Sequence, residues 1–157
     1  MSTTQLHETG TDAIVRDAVT RSLAIVGLAA VALIHLLDAH DTFVETPYKG
    51  WLYVALIAAC LGSAVTLARR NDRRAWWAAL LLPLGAMLGF VYSRTVGLPG
   101  GADDIGNWWE TLGLASLFVE GAVVVLSSAV LAAGAELTAL APEPRPAVRP
   151  KLQRSVR

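Results

Sequence analysis

Long uninterrupted apolar blocks, separated by short polar clusters, dominate the pattern of this chain. A helix needs roughly 20 mostly apolar residues to cross a hydrocarbon core about 30 Å thick, rising about 1.5 Å per residue. Four segments reach that length: Val19–Ala39, Gly50–Ala68, Ala75–Val96 and Leu112–Ala133. The first is uncharged from Ser22 to Leu37 unless His35 is protonated, the second throughout, and the third from Ala75 to Ser93; the fourth contains Glu120. Such runs are far too long for barrel strands, and a helix satisfies its own backbone polar groups, as lipid demands. The pattern predicts an all-α integral membrane protein, a four-transmembrane-helix bundle spanning residues 18–139.

Two flanks remain. Residues 1–17 are polar and could start a short helix at Asp12. Residues 140–157 are Pro-rich and basic; they cannot build a core and read as a disordered tail near anionic headgroups. The first apolar run ends in His35, Leu36, Leu37 and Asp38 rather than a small-residue cleavage site, so it reads as a retained helix and not a signal peptide.

Charge supplies the orientation. The chain carries 13 basic and 13 acidic residues, but the signs are segregated. Eleven cations fall on one side of the four-span topology: Arg16 and Arg21, then Arg69, Arg70, Arg73 and Arg74, then Arg145, Arg149, Lys151, Arg154 and Arg157. The other side has Lys49, and Arg94 at a helix end. The positive-inside rule places the eleven in the cytoplasm, so the expected topology is N-in/C-in in a plasma membrane. The outer face is then two acidic loops, His40–Gly50 and Gly97–Asn107. Tyr48, Trp51 and Tyr53, Trp76 and Trp77, and Trp108 and Trp109 read as interfacial aromatics at the span ends.

Composition adds exclusions. The hydrophobic share is 54% and mean hydropathy is +0.49. The single cysteine, Cys60, rules out an intrachain disulfide and reads as a small buried apolar residue. There is no phosphate-binding, dinucleotide-binding, nucleophile-elbow or HExxH motif, and no basic surface for nucleic acid beyond the membrane-flanking arginines. With one histidine inside the spans, a single chain cannot hold haem through two buried histidines. No cofactor is legible.

Small residues suggest how the helices meet, because lipid supplies no hydrophobic drive for their association. Gly85, Gly89 and Ser93 make one narrow face of the third helix, with Pro83 a turn earlier as a candidate kink. Gly106, Gly113, Glu120, Ser127 and Gly134 recur at spacing seven along the fourth, beside Ser116. Glu120 therefore points into the bundle.

Glu120 is the most informative single residue. A carboxylate near mid-membrane costs a few kcal/mol on insertion scales, so it is protonated or paired. It is either a proton carrier or ligand-binding group, or a carboxyl that hydrogen-bonds another helix. His35 and Asp38 share a helix face and could ligate zinc, manganese or iron; equally, Asp38 could orient His35, or both could meet interfacial water. Arg94 suits a helix C-terminus and can snorkel to the surface; the alternative is a counter-ion for Asp38, Glu110 or Glu120, or a clamp for an anionic ligand. Asp103, Asp104 and Glu110 are explained by capping and solvation. The topology nevertheless puts His35, Asp38, Arg94, Glu110 and Glu120 in the outer half of the bundle, and the inner half has no such polar residue. The expectation is a polar pocket open to the outer side.

The run from Ser93 to Gly121, SRTVGLPGGADDIGNWWETLGLASLFVEG, with that from His35 to Tyr53, HLLDAHDTFVETPYKGWLY, resembles small uncharacterised four-helix membrane proteins of high-GC Gram-positive bacteria. The resemblance implies a bacterial plasma membrane and carries no activity. The function expected is that of a non-enzymatic accessory protein, or a binder of a small ligand or metal. The alternative is a small proton- or ion-coupled transporter component acting as an oligomer. An enzyme is least supported, since no complete catalytic set is present. The expected partners are the lipid bilayer and a second copy or a larger membrane complex, with no nucleic acid.

Overall fold

The computed structural model describes residues 3–139, and side chains within 11–136. The expectation for the basic tail, 140–157, lies outside the described residues. Four α-helices account for most of the chain: α1 Thr3–Glu45, α2 Pro47–Arg69, α3 Arg73–Thr95 and α4 Thr111–Ala139. Each contains a stretch long and apolar enough to cross a membrane. They form an all-α bundle in which α1 packs on α2 and α4, and α3 packs on α4 and α2; α2 and α4 sit diagonally. Large apolar side chains cover the outside, among them Phe118, Val125, Leu88 and Leu36, which suits lipid tails rather than water.

The boundaries of α2 and α3 fall within a few residues of the hydropathy reading. Those of α1 do not. The expected first loop, His40–Gly50, is helical apart from Thr46, and the polar N-terminal segment is helical from Thr3. At 43 residues α1 is about 65 Å long, roughly twice the hydrocarbon thickness. Hydropathy marks where apolar side chains stop, not where the helix does. Beyond Ala39 the helix persists because Thr42 is buried and the Phe43 ring packs edge-to-face on Trp51, centroids 5.6 Å apart. Pro47 then ends it. Proline disfavours helical geometry in the residue before it, and its own fixed φ suits the first turn of a new helix. Thr46 is accordingly non-helical (φ −145°, ψ 85°), and α2 starts at once.

At the arginine-rich end, Asp72 caps α3 by accepting from the Arg74 amide at 2.9 Å. Asn71 accepts from the Trp76 indole at 2.6 Å and donates to Asp17 of α1 at 3.1 Å. Trp76 is thus buried inside the bundle rather than lying in an interfacial belt; Trp77 is exposed. At the other end α3 stops at Gly97, whose φ of +86° is the left-handed conformation that favours glycine after a helix. The chain returns through a short 3-10 turn, Ala102–Asp104, and Gly106, at φ +81°, donates its amide to the Arg94 carbonyl at 2.9 Å. Gly106 therefore belongs to this loop and not to the heptad face of α4.

The apolar core lies toward the arginine-rich end. Ala24, Leu28 and Val31 of α1 meet Cys60, Ala64 and Leu67 of α2 there, with Ala75, Trp76 and Ala79 of α3 and Val123 and Leu131 of α4. Its many alanines let the helix backbones approach closely. Above this core, toward the loop end, the four helices border a cavity.

Candidate functional site

The cavity has a volume of about 810 Å³ and is bordered by all four helices and the loop between α3 and α4. Its floor lies directly above the apolar core, at His35, Ala59, Leu81 and Glu120. Its mouth is ringed by Asp41, Glu45, Lys49, Asp104, Asn107 and Glu110.

The five side chains singled out from the sequence all border this cavity: His35, Asp38, Arg94, Glu110 and Glu120. They do so in two groups. The deep group is Glu120, His35 and Asp38. Glu120 is 1% exposed, and its Oε1 accepts from the Ser116 hydroxyl, one turn earlier, at 2.8 Å. His35 donates from Nδ1 to the Val31 carbonyl at 2.9 Å, as a helical residue can to the fourth residue before it. That bond fixes the tautomer and turns Nε2 toward the cavity, where it lies 3.8 Å from Glu120 Oε1. The separation exceeds a direct hydrogen bond. Asp38 is not bonded to His35. Its Oδ2 accepts from the Tyr53 hydroxyl at 3.1 Å and from Thr42 at 3.3 Å, while the Tyr53 and His35 rings meet edge-to-face at 4.7 Å.

The shallow group is centred on Arg94. Its guanidinium is buried, bonds Asp104 Oδ1 at 2.5 Å, pairs with Glu110 Oε2, and lies 4.8 Å from the Phe90 ring centroid. Lys49 of α2 completes the network with a 2.8 Å bond to the other oxygen of Asp104. Burial pushes the Asp104 carboxyl up, but hydrogen bonds and charges from Lys49 and Arg94 together hold it below its ordinary value of 3.8. Glu110 goes the other way. Burial and the nearby carboxylates of Asp38 and Asp104 raise it above 4.5, against the pull of Arg94.

Several expectations are corrected here. Arg94 does not snorkel; it is an internal counter-ion for Asp104 and Glu110, fixed because the Gly97–Gly106 loop folds back over it. Asp104 is not a solvated loop residue but the bridge between Lys49 and Arg94. Among the described residues no group of three or more His, Cys, Asp or Glu is placed to hold a metal ion, which leaves the expected His35 and Asp38 ligands as a pair. Gly85 and Gly89 were expected to pack against a neighbouring helix. Both border the cavity instead, and a Cβ at either would meet nothing within 4 Å.

Sequence reasoning gave Lys49, Tyr53 and Asp104 no part in the site. The one available signal was Lys49, the lone cation besides Arg94 among so many acids at this end. Comparison with family models, with curated proteins and with solved structures finds no match for the chain.

Proposed function

We propose that this chain is a non-enzymatic, multi-pass protein of a bacterial plasma membrane that binds a small molecule in the cavity at its loop end. The arginine-rich end faces the cytoplasm, in keeping with the positive-inside rule. The observation that carries the reading is the cavity itself. Its volume of about 810 Å³ falls within the range of small-molecule sites, roughly 300–1,000 Å³. Such sites combine apolar walls with a few convergent polar groups. Here Leu52, Leu56, Leu82 and Phe90 supply walls, and Glu120, His35, Asp38 and Tyr53 converge at depth. The protein works as a binding subunit, alone, as a homo-oligomer or within a larger membrane complex.

Native mass spectrometry of the protein released from lipid nanodiscs tests this. A bound small-molecule mass is expected on the wild type and absent from Gly85→Trp, which fills the cavity from its wall. Identical spectra for the two would overturn the reading.

A second reading is favoured by one distance. His35 Nε2 and Glu120 Oε1, 3.8 Å apart, can exchange a proton through one bridging group, as a proton-coupled transporter component requires. In proteoliposomes with a trapped pH dye, that role predicts proton flux lost in Glu120→Gln. A protein that only binds gives no flux in either form.

A further inference from the structure

The charges around the cavity do not balance. Six carboxylates border it, Asp38, Asp41, Glu45, Asp104, Glu110 and Glu120, against two cations, Lys49 and Arg94. Both cations are engaged at the mouth, with Asp104 and Glu110. At depth, Asp38 and Glu120 have only hydroxyl hydrogen-bond partners: Tyr53 and Thr42 for the first, Ser116 for the second. His35, with Nδ1 committed to the Val31 carbonyl, turns Nε2 toward Glu120 Oε1 at 3.8 Å. Buried carboxylates are costly without a cation, and Lys49 and Arg94 are both engaged at the mouth, so the acid-rich interior suits a cationic guest.

A second observation concerns access. Leu52 and Ala55 of α2, and Leu81, Gly85 and Gly89 of α3, border the cavity and are exposed. Open space lies beyond both glycines, and the α2–α3 seam is the loosest between neighbouring helices. The cavity thus opens sideways, between two membrane-length helices and against an apolar wall. A polar pocket with an apolar side slot matches a molecule with a polar head and an apolar chain. The head has aromatic company as well, since the Tyr53 ring borders the same depth and ring faces attract ammonium groups.

We infer that the cavity binds a cationic amphiphile, its ammonium head seated among Glu120, Asp38 and Tyr53 and its chain leaving between α2 and α3. This rests on the ligand-pocket reading above and adds the chemical class of the ligand. Net negative charge at the mouth, where Asp41 and Glu45 make no ion pair among the described residues, favours the same sign of ligand.

The test uses the full chain in nanodiscs and three probes. Each carries a dansyl group on a decyl chain and ends in trimethylammonium, hydroxyl or carboxylate; binding is read as energy transfer from tryptophan. The expected result is saturable binding of the ammonium probe, about tenfold tighter than the other two. Glu120→Gln removes that preference and leaves the hydroxyl probe unchanged. Asp38→Asn reduces the preference by about threefold, and serves alone if Glu120→Gln does not fold. Equal or tighter binding of the hydroxyl or carboxylate probe overturns the cationic class, as does a preference that survives both variants. In that case loss of any probe's binding in Gly85→Phe, which adds bulk at the cavity border without a new tryptophan, still upholds the pocket. If no probe saturates and Gly85→Phe changes no trace, pocket and ligand class fail together.

Discussion

The two halves of this bundle use the same helices for opposite ends. Toward the arginine-rich end, alanines bring the backbones together around Leu28, Leu67 and Trp76. Toward the loop end, glycines on α3 do the reverse. Gly85 and Gly89 face open space, and charged and hydroxylic side chains border the cavity beside its apolar walls. Small residues therefore have no fixed meaning in a membrane bundle. Where the facing helix approaches they close a seam; where it is held away they widen a cavity. The open half is braced across its mouth by the network of Lys49, Asp104, Arg94 and Glu110, which ties α2 to the loop and the start of α4.

If that brace is what shapes the open half, its loss has the largest effect. Arg94→Met leaves Asp104 and Glu110 without their shared cation, and is expected to cost about 3 kcal/mol, the low end for breaking a buried pair because both carboxylates are partly exposed. Thermal unfolding in detergent checks it; a change under about 1 kcal/mol would make the network incidental. Next comes a matched pair of substitutions. Ala79→Leu crowds a site with no exposure and is expected to destabilise by about 2 kcal/mol. Gly85→Leu, in open space, should stay within about 0.5 kcal/mol of wild type. Equal effects from the two would erase the distinction between the halves.

A smaller effect sharpens the comparison from within the closed half. Ser127, one heptad below Glu120, is fully buried and its hydroxyl has no partner. Removing an unsatisfied hydroxyl relieves its desolvation, so Ser127→Ala should raise stability by about 1 kcal/mol in the same unfolding assay. The smallest is a matter of order on acidification. Glu110, raised above 4.5, takes up its proton before Asp104, held below 3.8. The sign follows from linkage. The stability that Asp104 contributes is complete above 3.8 and is lost as pH falls through its lowered folded-state value; Glu110, with a raised value, loses no stability by being protonated. Carbon-13 titration of the side-chain carboxyls should show Glu110 moving first. The opposite order would mean that Arg94 binds Glu110 more firmly than Asp104.

Much of this was legible from residue patterns, and the reasons differ by level. Depth was readable because runs of about 20 apolar residues and segregated arginines locate each polar residue along the membrane normal. That is why His35, Asp38, Arg94, Glu110 and Glu120 border one cavity. Partnership was not readable. Asp104 reaches Arg94 because of the turn between Gly97 and Gly106, and loop geometry of that kind leaves no periodicity to detect. The ends of α1 were missed for a related reason: Thr42 and Phe43 are held in the helix by what they touch, not by hydropathy. The role of Gly85 and Gly89 depends on how far away α2 stands, which no feature of α3 encodes.

The connection at Thr46 has a mechanical consequence. With one residue between them, α1 and α2 form a single stiff arm whose two legs cannot spread at the loop end. The long return from Thr95 to Thr111 gives α3 and α4 no such tie. The molecule is built like tongs. Its pivot is the turn at Arg70–Asp72, steadied where Asn71 bridges Asp17 and Trp76. Its clasp is the set of bonds from Thr46, Tyr48 and Lys49 to Gly100, Pro99 and Asp104. Any widening of the jaws must undo that clasp, so the few residues after α3 govern how the two arms part.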